Sequence, residues 1–211
     1  MTEFLPFLPG FIAAYGILLV AASSPGPAVA LLMGISMTQG RKAALVTTIG
    51  IACGSTIINL ATLIGVGLLL AQAAWAMTVL RLIGAAYLTW LAWGAFRKAV
   101  HPPVIAAAPV TAHSAPRLFL TGFLLQVTNP KAIVFWLAIA SIGATQGGGP
   151  GIVALFVAGA FAISFACHAA WAVFLSAAPI RALYTRARRW IEATLGVLFT
   201  LFAIRLATER G

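Results

Sequence analysis

The chain has 211 residues, 62% hydrophobic and 8% charged, with a mean hydropathy of +1.05, whereas an ordinary soluble domain is about 25% charged. This composition excludes a soluble globular domain, which would expose large apolar patches, and it excludes intrinsic disorder. The net charge of +10 comes from 13 Lys and Arg against 3 Glu with no Asp, a shortage of acids rather than a nucleic-acid-binding surface, so an integral membrane protein is expected.

A helix crosses the roughly 30 Å hydrocarbon layer with about 20 apolar residues. Charges and turn residues divide the chain into six segments of that size: Phe11–Met37, Ala44–Leu70, Ala76–Phe96, Leu118–Gly143, Ile152–Ala177 and Ile191–Ala207. The cut between the second and third is placed at Gln72–Trp75, because the uncharged run there is too long for one crossing. Gly147-Gly148-Gly149-Pro150-Gly151 is a clear turn after the fourth. The N-terminus Met1-Thr2-Glu3 lacks the basic residues of a signal peptide, so the first helix is expected to be retained.

The loops after the first, third and fifth segments hold Arg41, Lys42, Arg97, Lys98, Arg117, Arg181, Arg186, Arg188 and Arg189, nine of the 13 bases. The positive-inside rule makes these loops cytoplasmic and both termini external. Arg205 and Arg210 at the outer end dissent, with Glu209 offsetting them in part. A five-span alternative, with a re-entrant first segment and an internal N-terminus, leaves the other loops in place.

Residues 97–117, with His101-Pro102-Pro103, Pro109 and Pro116, read as a cytoplasmic linker within a single transmembrane domain of residues 1–211. It separates halves of three helices, about residues 7–96 and 118–207. Because each half crosses an odd number of times, the second enters inverted, an architecture of many secondary transporters. The expected fold class is therefore an all-α integral membrane protein of six transmembrane helices in two inverted three-helix repeats, with helices 1 and 4 broken at the midplane.

The breaks are Ser23-Ser24-Pro25-Gly26-Pro27 and Thr128-Asn129-Pro130-Lys131. Pro27 lies 14 residues before Arg41, and Pro130 lies 13 after Arg117. At 1.5 Å per residue both sit about 20 Å deep. Proline removes a backbone donor and clashes with the preceding turn. Each break also reads as a helix start, with Ser24 as N-cap before Pro25 and Asn129 as N-cap before Pro130. Two half-helix N-termini then face one central point, and Lys131 adds a full positive charge, a constellation suited to a carboxylate. A packing kink explains either break alone but not two at matched depth, and a lysine at mid-bilayer is too deep to reach the interface easily.

Other polar groups fall at comparable depth. Asn59 is a helix-to-helix hydrogen bond or a ligand, and Gln126 and Thr128 precede the second break and line a cavity there. His168 is a proton carrier or a neutral histidine bonded to a backbone carbonyl. Arg81 and Arg205 read as snorkelling side chains, and Gly50 with Gly54 as a close-packing pair. Cys53 and Cys167 are isolated, which fits buried small hydrophobes better than redox chemistry. No His/Glu/Cys cluster has metal-ligand spacing and there is no phosphate loop, so no bound metal or cofactor is expected. Glu3, Glu192 and Glu209 are read as lying outside the apolar spans, which argues against an acid–base enzyme.

The motifs Ser24-Pro25-Gly26-Pro27, Gln39-Gly40-Arg41-Lys42, Gly84-Ala85-Ala86-Tyr87-Leu88, Asn129-Pro130-Lys131-Ala132 and the ending Leu195-Gly196 through Ile204-Arg205-Leu206 run from about residue 7 to 207. In them the chain resembles the lysine-exporter (LysE/RhtB) family of bacterial amino-acid efflux proteins. The resemblance implies secondary export of an amino acid or small derivative across the bacterial inner membrane, driven by the proton gradient or membrane potential, and it is compatible with a homodimer. Ser55 stands where many relatives carry an acid in the second helix, and Ser141-Ile142-Gly143 replaces a Pro-x-Phe after the fourth. Without an intramembrane acid for a cationic side chain, a neutral cargo is expected.

The expected substrate site is Ser24, Pro25, Gly26, Pro27, Asn59, Gln126, Thr128, Asn129, Pro130 and Lys131, with His168 carrying the coupling proton. Lys131 and the helix N-termini take the carboxylate, while Asn129, Asn59 and carbonyls near Ser23 take the ammonium group. The competing functions are a thiol-redox conduit, which needs cysteines at the breaks, and an exporter of inorganic ions or metals, which needs acids or clustered histidines. A scaffold would not need mirrored breaks.

Overall fold

A computed structural model describes residues 4–72, 74–102 and 113–208. Glu3, Glu209, Arg210, linker residues 103–112 and the side chain of Arg81 lie outside the described residues. Those described form one short 3-10 helix, Leu5–Phe7, and eight α-helices with no strand. These are α1 (Leu8–Ser23), α2 (Pro27–Thr38), α3 (Gly40–Gln72), α4 (Ala74–Val100), α5 (Ala115–Val127), α6 (Pro130–Ala140), α7 (Pro150–Phe174) and α8 (Ala178–Thr208).

Among the described residues, four stretches are each long and apolar enough to cross a membrane: Leu5–Ser23, Gly40–Gly65, Pro150–Phe174 and Ala178–Thr208. The pair α5 and α6 makes a fifth, bent by 59° at its break. The chain is thus a multi-pass, all-helical membrane protein.

Both expected breaks are present, whereas the cut expected at Gln72–Trp75 falls on residue 73, which lies outside the described residues. The first break restarts later than the sequence reading placed it. Ser24 is the C-cap of α1, its N–H donating to the Val20 carbonyl, rather than the N-cap of the next helix. Helix α2 starts at Pro27 with Gly26 as N-cap. A residue before proline is pushed out of the helical region, and here Ser24 and Gly26 both precede prolines and are both extended. The helix can resume only after the second proline. The second break is as expected, with the Asn129 side chain accepting from the Lys131 N–H at 3.1 Å and Pro130 opening α6.

A second correction concerns Arg181, Arg186, Arg188 and Arg189. They occupy no loop but the first turns of α8, which is continuous from residue 178 to 208. Arg181 Nη1 donates to the carbonyls of Leu175 and Ser176 at 2.9 and 3.1 Å, where α7 leaves carbonyls without helical partners.

Packing follows small residues. Helix α5 lies against α3 so closely that a Cβ at Gly50 would sit 2.0 Å from the Phe119 carbonyl oxygen, and one at Gly122 would sit 2.2 Å from that of Thr47. Gly54, four residues after Gly50, faces Phe123 and Gln126 in the same contact, so the paired glycines pack as expected. Between α2 and α3 the chain turns through Gly40 at φ 81°, the left-handed region that glycine enters without strain. Helix α6 is the centre of the main core, burying Ala132, Phe135, Trp136 and Ile139 against Phe11 and Leu18 of α1, Leu88 of α4 and Phe199 of α8.

Candidate functional site

The two breaks meet. Lys131, on the first turn of α6, sends its ammonium group across to α1, where Nζ donates to the Ser24 carbonyl at 3.1 Å and also to the Ser24 hydroxyl. That hydroxyl donates in turn to the Ala21 carbonyl at 2.8 Å. The cation therefore rests on the carbonyl end of α1, which a helix dipole favours. Within α6 it stands two residues past the N-cap, which the dipole opposes. Gly26 lies alongside, its absent Cβ only 3.4 Å from Nζ.

Around this contact is a central cavity of about 40 Å³. At roughly 10–15 Å³ of such space per water, that admits a few waters. Ser24, Gly26, Pro27, Gln126, Asn129, Lys131 and His168 all line it, so the structure brings together seven of the residues expected from sequence. It does not bring the others. Pro25 faces a different cavity. Thr128 and Pro130 are exposed and do not line it, the Thr128 hydroxyl donating back to the Leu124 carbonyl at 2.8 Å. Asn59 is buried on α3 with both side-chain polar atoms unpartnered among the described residues, but it does not reach the cavity wall.

Residues missed from sequence complete the lining. Trp136 donates from Nε1 to Ser55 Oγ at 3.0 Å, so α6 and α3 close one side with a neutral hydrogen bond. Ser164 lies one turn before His168 on α7, and its carbonyl is 2.8 Å from His168 Nδ1. A carbonyl only accepts, so Nδ1 carries the proton, and a neutral ring has its lone pair on Nε2. The helical spacing of 164 and 168 was the available signal. No Asp or Glu lines the cavity. The first turns of α2 and α6 and the Lys131 ammonium thus make it electropositive, with only neutral oxygens in balance.

Glu192 requires a correction. It is not outside the helical body: it is 2% exposed, on α8, with Oε1 3.8 Å from Arg188 Nε. With Lys98, Tyr184 and Arg188 it lines a second cavity, of about 260 Å³, that reaches Pro25, Gly26 and Pro27 from the other side. Among the described residues no three His, Cys, Asp or Glu side chains gather to hold a metal. Cys53 and Cys167 are free thiols, and Cys167 Sγ accepts from Ser23 Oγ at 3.7 Å.

Helices long and apolar enough to cross a membrane, with two chain breaks meeting at a buried cation, suit a membrane translocator. The family model of the LysE type translocators matches residues 19–210, and the chain belongs to that family. It is 30% identical over 206 residues to the threonine efflux protein of Escherichia coli (strain K12), covering 95% of this chain and 98% of that one. It is also 30% identical to the threonine efflux protein of Salmonella typhi, over 91% of this chain and 94% of that one. The leucine efflux protein of Klebsiella pneumoniae is 25% identical over 210 residues, 97% of this chain and 95% of that one. No solved structure matches.

Proposed function

We propose that this protein exports a small neutral amino acid across the bacterial inner membrane by alternating access around the central cavity. The observation that carries the reading is Lys131 Nζ bridging the two helix breaks onto Ser24 in an acid-free cavity. A substrate carboxylate offers Lys131 a charged partner in place of the neutral Ser24 oxygens, and charge-assisted hydrogen bonds are about twice as strong as neutral ones. Taking the cation away from Ser24 uncouples α1 from α6, so binding loosens the joint that any opening of the site must move. The ammonium group is left to Asn129, Gln126 and the carbonyls at the end of α1. His168 carries the coupling proton on Nε2. Relatives named for threonine and leucine efflux support an amino-acid cargo. The missing acid in the lining supports a neutral one.

The topology of this reading is six crossings in two inverted three-helix repeats, residues 7–96 and 118–207, joined by the linker 97–117, with both termini outside. Helices α1 and α2 form the first crossing, α3 and α4 the next two, α5 and α6 the fourth, and α7 and α8 the last two. The basic start of α8 then lies at the cytoplasmic interface. Exposed Trp93 and Trp190, each next to an arginine that stands 5.9 Å from its ring centre, suit such a boundary.

The test is efflux of labelled threonine, leucine and lysine from loaded cells at equal protein abundance. Threonine or leucine efflux that disappears in Lys131→Ala is the expected result. Undiminished efflux in that variant, or lysine as preferred cargo, overturns the carboxylate role or the neutral cargo respectively.

A further inference from the structure

The second cavity shares Gly26, Pro27 and Val29 with the central one. The broken segment between α1 and α2 is therefore a partition with a space on either side. The two spaces differ in size, about 40 Å³ in the central cavity against about 260 Å³ in the second. They also differ in charge. The central lining has no acid, whereas the second combines Glu192 with Lys98 and Arg188.

Glu192 is the only acid among the described residues, and it is 2% exposed in the span Ala178–Thr208. A carboxylate there is costly to insert, and such groups default to function. It forms an ion pair with Arg188, Oε1 standing 3.8 Å from Arg188 Nε, and Oε1 itself has no hydrogen-bond partner among the described residues. Lys98 is exposed in the last turn of α4, and Tyr184 packs beneath the Trp171 ring. The cavity thus offers one buried anion, two cations and an apolar wall of Val29, Ala30 and Met33.

Resting on the export reading above, we infer that this cavity is an intake vestibule that binds the zwitterionic amino acid before it passes the Gly26–Pro27 partition. Glu192 takes the ammonium group, Lys98 and Arg188 take the carboxylate, and the apolar wall takes the side chain. An unmodified α-amino acid is selected here, because a ligand lacking the ammonium group leaves the buried Glu192 Oε1 without a hydrogen-bond donor. Lys131, on the other side of the partition, then receives the carboxylate alone.

The experiment is uptake of labelled L-threonine into inside-out membrane vesicles carrying the full chain, with concentration varied at the exposed cytoplasmic face. Glu192→Gln and Lys98→Gln are each expected to raise KM about tenfold or more, the scale of a lost charged hydrogen bond, while the maximal rate is retained. N-acetylthreonine, which lacks the ammonium group, is expected to compete poorly against the unsubstituted protein. In Glu192→Gln its disadvantage relative to threonine shrinks, a change that a structural defect does not produce. Unchanged KM in both variants, or a loss of maximal rate alone, overturns the vestibule. Should Glu192→Gln fail to reach the membrane, Lys98→Gln, altered at an exposed side chain, decides alone. If the unsubstituted protein carries neither threonine nor leucine, the export reading falls and the vestibule with it. Transport with unchanged KM removes only the vestibule.

Discussion

At the scale of single residues, the site depends on a few polar atoms whose partners are all within the helical body. Asn129 holds the start of α6 through its bond from the Lys131 N–H. Asn129→Ala is expected to cost about 1 kcal/mol, and Asn129→Ser much less, because serine caps nearly as well; the melting temperature of the purified protein in detergent checks both. Trp136→Phe removes the one hydrogen bond that the buried Ser55 hydroxyl makes among the described residues and is expected to cost about 1–3 kcal/mol by the same measurement. Combining it with Ser55→Ala restores much of that loss. His168→Asn separates structure from coupling. It is expected to preserve exchange of labelled for unlabelled threonine across the membrane while abolishing efflux driven by a proton gradient. Loss of both activities in a folded variant would end the proton-carrier role. Lys131, Asn129 and His168 were all legible in the sequence, since each is a polar group at mid-span depth. Ser55, Trp136 and Ser164 were not singled out as ligands, because Ser and Trp are ordinary in membrane helices and only their convergence marks them.

At the scale of elements, the α3–α5 crossing is the contact that brings Ser55 and Gln126 to one wall. It is made backbone to backbone, through Gly50 and Gly122. No side chain fits there, so Gly50→Leu and Gly122→Leu are expected to abolish folded protein, an overpacking penalty of about 3 kcal/mol or more. Gly16→Leu, with nothing within 4 Å of its Cβ position, is expected to be tolerated. Monodispersity in size-exclusion chromatography distinguishes the outcomes. The glycine pair in α3 was readable as close packing. Its partner Gly122 was not, because a single glycine in a membrane helix has no pattern. The late restart of α2 at Pro27 was latent in the Ser-Pro-Gly-Pro run, since the rule that disfavours helix before proline acts at Ser24 and again at Gly26.

For the whole molecule, the proposed topology places Gln146 outside and His113 in the cytoplasm. In a background of Cys53→Ser and Cys167→Ser, Gln146→Cys is expected to react with an impermeant maleimide added to intact spheroplasts. His113→Cys is expected to react only after permeabilisation. The same background, retaining full efflux, disposes of a thiol-redox role. A reporter joined before Met1 distinguishes six crossings from five, because only the six-span arrangement puts that end outside.

Apolar content, segment lengths and the two proline breaks were determined by the sequence alone, for a physical reason: the bilayer demands long apolar helices and makes each interruption or buried charge conspicuous. Those signals are local, so position along the chain suffices to read them. What only the tertiary structure decided is which polar groups meet. Lys131 and Ser24 are 107 residues apart, and nothing in either segment announces that the cation of one break rests on the carbonyl end of the other. Glu192 shows the same limit. Four arginines around it gave that stretch the look of a loop, yet helix α8 turns its carboxylate inward beside Lys98 and Arg188, where their charges offset the cost of burying it.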